Sequence, residues 1–251
     1  VGTDGKVNGN NQSIVGWAWD AGSSTVTNTD GSISSQVRAS QTAGFSIVGY
    51  TGTGANASVG HGLNAAPSMV IVKRRDDVNN WRVGHDGLTD WSYRINLEST
   101  DASSQQASVW NSTAPTSSVF SIGTSSSVNI SSGTYIAYCF APVEGYSAMG
   151  SFASGSSPFV FTGFRPKFIL AKGTGSGRIW NIYDSDRDSY NPAGKILKAE
   201  NSGAEIDSPP RVDFLSNGFK VRASSGSEPN VSDTYVYYAV AEHPFRSSRA
   251  R

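Results

Sequence analysis

Cysteine is almost absent from this 251-residue chain, which has only Cys139. A single thiol excludes an intramolecular disulfide and a metal cage built from thiolates. Long apolar runs are absent too, since no stretch approaches the roughly 18 apolar residues of a membrane span, and no charged-then-apolar start is present. The sequence therefore predicts neither a membrane-spanning segment nor a signal peptide.

An excess of charge is also lacking, because 20 Lys and Arg balance 20 Asp and Glu. A nucleic-acid or membrane-surface protein would need a basic excess, so both classes are disfavoured. Charged residues make up only 16% of the chain, and such a weakly charged surface favours association with copies of itself. Hydrophobic residues at 37% and aromatic residues at 11% are sufficient for a core, so the chain is predicted to fold.

An internal repeat organises the chain. Residues 67–73 (PSMVIVK), followed by Trp81, recur 99 positions later as residues 166–172 (PKFILAK), followed by Trp180. Two further segments recur in the same order at nearly the same spacing: 119–122 with 218–221, and 135–141 with 235–241. Landmarks that keep their order and spacing indicate two homologous halves related by an internal duplication.

The third recurring segment occurs once more near the start of the chain, as residues 13–19 (SIVGWAW). We expect residues 1 to about 20 to be the last strand of an upstream repeat in a polypeptide that extends further toward its N-terminus; a stray aromatic strand that pairs with either half is the alternative. The predicted organisation is an end strand with a connecting segment over residues 1–43, a first unit over 44–149 and a second over 150–251.

The apolar pattern predicts an all-β protein of two tandem β-sandwich units. Short apolar runs such as residues 69–72 are bounded by Pro and Lys, as buried sandwich strands are. In segments 135–140 and 235–240, both alternating sets of side chains are apolar or aromatic, which predicts burial of both faces. Only residues 192–201 are expected to carry a helical turn. The stretch 145–158 is expected to pack between the halves and make them a rigid pair.

Candidates for catalysis are few. Of the three histidines, His85 lies beside Asp86, but Asp184 replaces it in the second half, so His85 cannot belong to a site that both halves share. No G-x-S-x-G nucleophile elbow is present. The glycine-rich residues 173–177 lack the Gly-Lys-Ser/Thr ending of a phosphate loop, and a hairpin turn is their predicted role.

An acidic loop is the candidate for a metal site. Asp184, Asp186 and Asp188 alternate, and Ca²⁺ takes oxygen ligands from such clusters. The EF-hand pattern is broken, however, because its glycine and glutamate positions hold Ser189 and Lys195. Arg187 within the loop could equally neutralise the acids as an ion pair. The sequence therefore predicts no cofactor and leaves Ca²⁺ as the weaker hypothesis.

Aromatic residues with neighbouring polar groups are typical of a sugar-binding surface, because aromatic faces stack on pyranose CH groups while amides and carboxylates bind hydroxyls. Trp81 and Trp180 recur in both halves and are interpreted as core or inter-sheet residues, so Trp91 and Trp110 are the better candidates for an exposed contact. The same polar groups could serve a glycosidase or a lyase. The other candidate binding residues are His85, Tyr93, Arg94, Tyr183, Asp184, Arg187, Asp188 and Tyr190.

Several longer motifs resemble a module of uncharacterised function in virion proteins of marine tailed bacteriophages, cyanophages among them. The resemblance covers nearly the whole chain. It is carried by residues 42–54 (TAGFSIVGYTGTG), 59–63 (VGHGL) with 66–67 (AP), 110–120 (WNSTAPTSSVF), 135–140 (YIAYCF), 143–146 (VEGY), 163–166 (GFRP), 213–219 (DFLSNGF), 241–245 (AEHPF) and 250–251 (AR). Asp186 departs from the family pattern, which weakens the metal hypothesis further.

The resemblance implies a tail-fibre, tailspike or other surface component of the virion, and it supplies no catalytic residues. The expected function is non-enzymatic attachment to a host-surface glycan, at the extracellular tail surface of the virion. Expected partners are other virion subunits in a homo-oligomer, with a trimer expected by analogy with tail fibres. The alternatives are a tailspike depolymerase, either lyase or glycosidase, and a purely architectural capsid or tail decoration protein.

Overall fold

The computed structural model describes residues 2–244, without the side chain of Ser208. It contains eighteen β-strands and three α-helices of four residues each. The last motif of the phage resemblance, residues 250–251, lies outside the described residues, as does the final residue of segment 241–245. In chain order the elements are α1 (Gly5–Asn8), β1 (Val26–Asn28), β2 (Ser35–Ser40), β3 (Phe45–Thr51), β4 (Ala57–Gly60), β5 (Met69–Arg74), β6 (Arg82–His85), β7 (Tyr93–Asn96), β8 (Ser104–Gln105), α2 (Ala107–Trp110), β9 (Val119–Ile122), α3 (Ser126–Asn129), β10 (Thr134–Phe140), β11 (Ser147–Ala153), β12 (Phe159–Phe161), β13 (Pro166–Gly173), β14 (Trp180–Asp184), β15 (Ala193–Lys198), β16 (Ile206–Leu215), β17 (Gly218–Val221) and β18 (Thr234–Ala241).

Two eight-stranded sheets form the frame. The first has the order β1-β2-β3-β10-β5-β6-β7-β8 and the second the order β11-β18-β13-β14-β15-β16-β17-β12, while β4 and β9 form a separate two-stranded sheet. The named strands pair antiparallel throughout the described residues. The predicted all-β, sandwich-like fold is confirmed. Among the described residues, no helix has the length and apolar character needed to cross a membrane.

Each half has an inner core of its own. In the first half, Tyr135 and Cys139 of β10 are completely buried and belong to one apolar cluster with Phe120 of β9. The second half has a corresponding cluster that contains Tyr235 of β18 and Phe219 of β17. Burial of side chains of this size contributes about 1.5–3 kcal/mol each, so these clusters stabilise each half substantially.

A third cluster, the central layer, joins the two halves through the opposite faces of the large sheets. Met69 and Phe140 from the first sheet belong to it together with Phe168, Leu170 and Tyr238 from the second. Both faces of β10 and β18 are therefore largely buried, as the alternation in the sequence predicts. The halves pack through a continuous apolar layer.

The recurring segments occupy corresponding strands. Segments 67–73 and 166–172 fall in β5 and β13, and segments 135–141 and 235–241 fall in β10 and β18, which lie directly beside β5 and β13 in their sheets. The segments 119–122 and 218–221 are β9 and β17. This correspondence is geometric, and a duplication as the origin of the two halves stays a prediction.

Two predictions of secondary structure are wrong. Residues 13–19 are not a strand, because Trp17 and Trp19 turn their rings onto Phe168, with centroids 5.6 and 5.7 Å away, and the segment packs by side chains instead of by sheet pairing. Residues 192–201 are not helical but contain β15, whose Ala193 and Ile196 are buried against the second core. Pairing with β16 overrides the helical signal there.

The predicted boundaries of the units do not coincide with the ends of the strands. β1 and β2 pair with the first sheet, although they fall within the predicted connecting segment 1–43. The predicted boundary between residues 149 and 150 falls inside β11, which pairs with β18 along the edge of the second sheet. Met149 of this strand packs against the central layer, so the stretch 145–158 does contribute to the contact between the halves.

Candidate functional site

The two tryptophans predicted to be exposed contacts are buried in the first core. Trp91 is 7% exposed and Trp110 is fully buried, and their rings meet edge to face with centroids 5.8 Å apart. Gly84 of β6 leaves the space they fill, because a Cβ atom there would lie 2.4 Å from Trp91 and 2.8 Å from Trp110. The prediction that these side chains face solvent is therefore wrong, and neither ring is available to stack on a sugar.

His85 connects the two halves. Its Nδ1 accepts a hydrogen bond from the Gly87 amide at 2.8 Å, so its Nε2 donates to the Tyr237 carbonyl at 3.1 Å. The ring is 2% exposed, and burial lowers its pKa to about 4. His85 is thus neutral at pH 7 and held by backbone groups, which is the arrangement of a structural histidine.

Tyr93 and Arg94 are neighbours on β7 and therefore point to opposite faces of the sheet. Tyr93 packs against the central layer. Arg94 faces the inner side of the first half, where its Nε donates to Gln106 and its Nη1 to Asn96. Tyr93 and Arg94 therefore do not face one common site.

The candidate residues of the second half are dispersed as well. Tyr183 is completely buried in the second core, whereas Tyr190 is 84% exposed. Asp188 accepts hydrogen bonds from the backbone amides that begin β15. Only Asp184 and Arg187 come together, since Trp17 donates to the Asp184 carboxylate at 2.7 Å while the Arg187 guanidinium lies 5.7 Å from the Trp17 ring centre.

The acidic loop does not converge on one point. Asp186 pairs with Lys167 at 2.8 Å, while Asp184 and Asp188 bind the partners described above. Within residues 2–244, no group of three or more His, Cys, Asp or Glu side chains is arranged to hold a metal ion. The side chains of the loop are instead engaged in ion pairs and in hydrogen bonds to the polypeptide.

A cavity of about 410 Å³ lies between the two sheets, and we call it the aromatic cavity. Aliphatic residues from both sheets line it, together with eight aromatic residues: Trp17, Trp19, Phe45, Trp81, Tyr138, Phe140, Phe168 and Tyr238. Trp81 and Tyr138 are only partly buried, and their rings stack with an interplanar angle of 18°. The volume lies within the range of about 300–1,000 Å³ that is usual for small-molecule sites.

The walls of the aromatic cavity are chemically apolar. The indole N–H of Trp17 already binds Asp184, and that of Trp19 already binds the Tyr238 hydroxyl at 2.9 Å. The cavity therefore offers mainly ring faces and aliphatic side chains, and the polar side chains of Asp184 and Arg187 adjoin it beside Trp17. Such a wall suits the CH face of a sugar ring or another apolar body.

The sequence does not single out these cavity residues. Trp81 and Trp180 are interpreted from the sequence as core or inter-sheet residues, and both contact the central layer; Trp180 is buried, whereas Trp81 is partly buried and lines the cavity. What separates Trp81 from Trp180 is their surroundings. Trp17 and Trp19, which line the same cavity as Trp81, come from a segment that forms no strand.

The fold and the cavity define an all-β protein of two packed sheets with an aromatic cavity between them. A family model described as "Domain of unknown function (DUF7483)" matches residues 1–244, and the chain belongs to this family. No curated protein and no solved structure matches the chain.

Proposed function

We propose that this chain is a non-enzymatic module of a bacteriophage virion protein, of the tail-fibre or tailspike type, that attaches to a host-surface glycan. The observation that carries the proposal is the aromatic cavity. Its open side presents the partly buried rings of Trp81, Tyr138 and Trp17, and aromatic faces of this kind pack on the apolar face of a pyranose. The phage resemblance of the sequence motifs gives the setting at the virion surface.

Polar groups beside the cavity support a sugar over a purely apolar ligand. Asp184 and Arg187 contact the edge and the face of Trp17, and both carry hydrogen-bonding groups next to an apolar wall. A sugar needs this combination of a ring face and directional partners for its hydroxyls.

The state of the titratable side chains supports the non-enzymatic assignment. His61 is buried, its ring contacts the Thr116 carbonyl and the Leu63 amide, and burial lowers its pKa. His85 is held in the same manner, and burial raises the pKa of the Cys139 thiol to about 12. None of these three groups is positioned as a base or nucleophile facing the aromatic cavity.

Association with further copies and with other virion subunits is part of the proposal. β12 is the last strand of the second sheet, and its Phe159 and Phe161 are 48% and 67% exposed. An exposed apolar edge strand is a surface on which another chain can pair. The expected assembly, a homo-oligomer with a trimer as its form, is measured by light scattering of the purified protein.

The test is binding to exopolysaccharide purified from host cells. We expect Trp81→Ala to weaken binding at least tenfold, because it removes the stacking ring. The matched control is Tyr190→Ala, which removes an exposed aromatic ring that does not line the cavity and should change the affinity less than twofold. Circular dichroism establishes that both variants are folded.

Three outcomes would overturn the proposal in different ways. Equal affinity of Trp81→Ala and the parent would remove the aromatic cavity as the binding site. New reducing ends or unsaturated uronate absorbance would make the protein a depolymerase. Absence of any affinity for host glycan or host cells would leave a purely architectural role.

A further inference from the structure

Two arginines of the first half lie side by side without an acidic partner. Arg82 of β6 and Arg94 of β7 both donate from Nη1 to the same oxygen, Asn96 Oδ1, at 2.7 and 3.1 Å. Because both Nη1 atoms bind one oxygen, the distance between them cannot exceed the sum of these two hydrogen-bond lengths. Arg82 is 9% exposed, so most of this residue is removed from solvent. We call these residues the arginine pair.

The hydrogen-bond acceptors of the arginine pair are all neutral. Arg82 Nε donates to the Ser127 hydroxyl at 3.0 Å, and Arg94 Nε donates to the Gln106 side-chain oxygen at 3.1 Å. Within the part of the chain that the structure describes, ion pairs closer than 4.0 Å involve other basic residues and neither member of the pair. Asp101 attracts Arg94 through space, and Glu98 attracts both guanidinium groups, but neither carboxylate lies within 4.0 Å of them, and Glu98 is engaged by Asn80 and Trp81.

This arrangement leaves two partly buried positive charges without a carboxylate in direct contact. Burial and the neighbouring charge of Arg94 lower the pKa of Arg82 to about 10, and burial lowers the pKa of Arg94. Buried charges are normally paired, because an unpaired charge in a protein interior is strongly unfavourable. The simplest way to pair these charges is an anion that binds to both arginines.

Donors that could hold such a partner are present. The Nη2 groups of Arg82 and Arg94 have no hydrogen-bond partner among the described residues, and neither belongs to the buried polar atoms that lack one, so both reach solvent. A guanidinium carries its donors in a planar fork, and two such forks can share one oxyanion.

The sheet does not require arginine at these positions. Arg82 directly follows Trp81, as Asn181 follows Trp180 in the second half. Val83 pairs with Ile95 in the first half, and Ile182 pairs with Leu197 in the second half. By this register, Ile196 occupies the position that Arg94 has in the first half. The second half thus forms the same pair of strands with a neutral amide and an aliphatic side chain.

We propose that Arg82 and Arg94 form a binding site for an oxyanion, that is, a sulfate, phosphate or carboxylate group, held through their solvent-facing Nη2 donors. Asn96, Ser127 and Gln106 position the two guanidinium groups. The site lies on the inner side of the first half, on the face of the sheet opposite the central layer and its aromatic cavity, and it does not depend on the glycan proposal.

The test uses sodium sulfate, sodium phosphate and sodium acetate as probes, at constant ionic strength maintained with chloride. Binding is followed by NMR signals of the arginine side-chain Nε–H groups and by calorimetry. We expect saturable shifts of the Arg82 and Arg94 signals with at least one anion. Preference for sulfate or phosphate assigns a tetrahedral ligand group, and preference for acetate assigns a carboxylate. Absence of saturation with all three anions would overturn the proposal.

Variants separate the site from general charge effects. Arg94→Gln should weaken binding of the preferred anion at least tenfold, whereas Arg75→Gln removes the same charge from an exposed position of the first half and should change it less than twofold. Arg94 is chosen because it is less buried than Arg82, and circular dichroism verifies that the variants are folded. Equal affinity of Arg94→Gln and the parent would overturn the site assignment.

Discussion

The inner sides of the two halves carry opposite charge at corresponding places. In the first half Arg82 faces the Ser127 hydroxyl, and in the second half Asn181 lies close to Glu228. Ser127 and Glu228 each precede a buried asparagine by two residues. Burial raises the pKa of Glu228, and the Tyr235 hydroxyl donates to its carboxylate. The same frame can therefore hold an unpaired cation in one half and a hydrogen-bonded acid in the other.

What the halves share is the set of contacts that fixes their loops. Asn129 binds the Ala55 and Gly123 carbonyls in the first half. In the second half, Asn230 binds the Gly155 and Ala223 carbonyls. These contacts fix the same loops in both halves, whereas other residues differ between the halves. We therefore look for function at the positions where the two halves differ.

The largest expected effect tests the shared contacts. Asn129→Ala leaves two carbonyls and the Thr53 amide without their buried partner, and each lost partner destabilises by roughly 1–3 kcal/mol, so we expect a loss of about 3 kcal/mol or more. Asn230→Ala should have a similar effect, measured by urea unfolding. Asn56→Ala, at an exposed position, is the control and should change stability little. A large loss in one half only would break the correspondence.

The next effect belongs to the first half alone, because His85 has Asp184 as its counterpart. The folded-state pKa of His85 is about 4, below its ordinary value of about 6.5, so below pH 6.5 the unfolded chain takes up a proton that the folded chain does not. Stability should fall by roughly 3 kcal/mol between pH 6.5 and about 4. Urea unfolding of His85→Gln over the same pH range should show a smaller slope, to which His61 and carboxyl groups with a shifted pKa, such as Glu228, still contribute.

A parent and a His85→Gln variant with the same pH slope would contradict this reading. The comparison of slopes keeps the test informative even if the substitution lowers stability at every pH, because only the titration of the histidine ring changes the slope.

A third prediction transfers the chemistry of the second half to the first. Ser127→Asp places a carboxylate next to Arg82, as Glu228 lies next to Asn181, and it should compete with an external anion. We expect anion affinity to fall at least tenfold, or about 1.4 kcal/mol, measured by calorimetry. Ser127→Ala, which adds no charge but removes one hydrogen bond that positions Arg82, should weaken binding less than Ser127→Asp does. Undiminished binding by Ser127→Asp would mean that the anion does not reach Arg82.

The smallest effect is expected in the acidic loop of the second half. Asp186 and Lys167 form a solvent-exposed ion pair, and such pairs contribute about 0–1 kcal/mol, so Asp186→Asn should change stability by less than about 0.5 kcal/mol. Addition of EDTA should leave the melting temperature unchanged. A clear drop with EDTA would restore Ca²⁺ as a ligand of this loop.

Much of the fold follows from sequence periodicity. The runs around Val70 and Ile169 read as buried strands because apolar residues there are nearly continuous, and the recurring segments locate the strands that form the centre of each sheet. The turn over residues 173–177 is confirmed as the connection of two antiparallel strands. These features are local, so a single chain suffices to predict them.

The sites were harder to predict because they depend on contacts between distant segments. Trp91 and Trp110 are buried because Gly84 makes room for them, which no pattern within their own loop indicates. Trp17 belongs to the aromatic cavity because Asp184, 167 positions away, holds its indole. Arg94 is a candidate from its sequence, but Arg82 and their shared acceptor Asn96 emerge only when β6 and β7 pair.

The most direct test of the difference between the halves is a titration of the isotope-labelled protein with sulfate, phosphate and acetate followed by NMR. With at least one of these anions we expect saturable shifts of the side-chain signals of Arg82, Arg94 and Gln106, with the Asn181 side-chain signal of the second half unchanged. Shifts that grow linearly with all three anions, or that appear equally in both halves, would contradict a site formed by the arginine pair, because they would show a general salt effect.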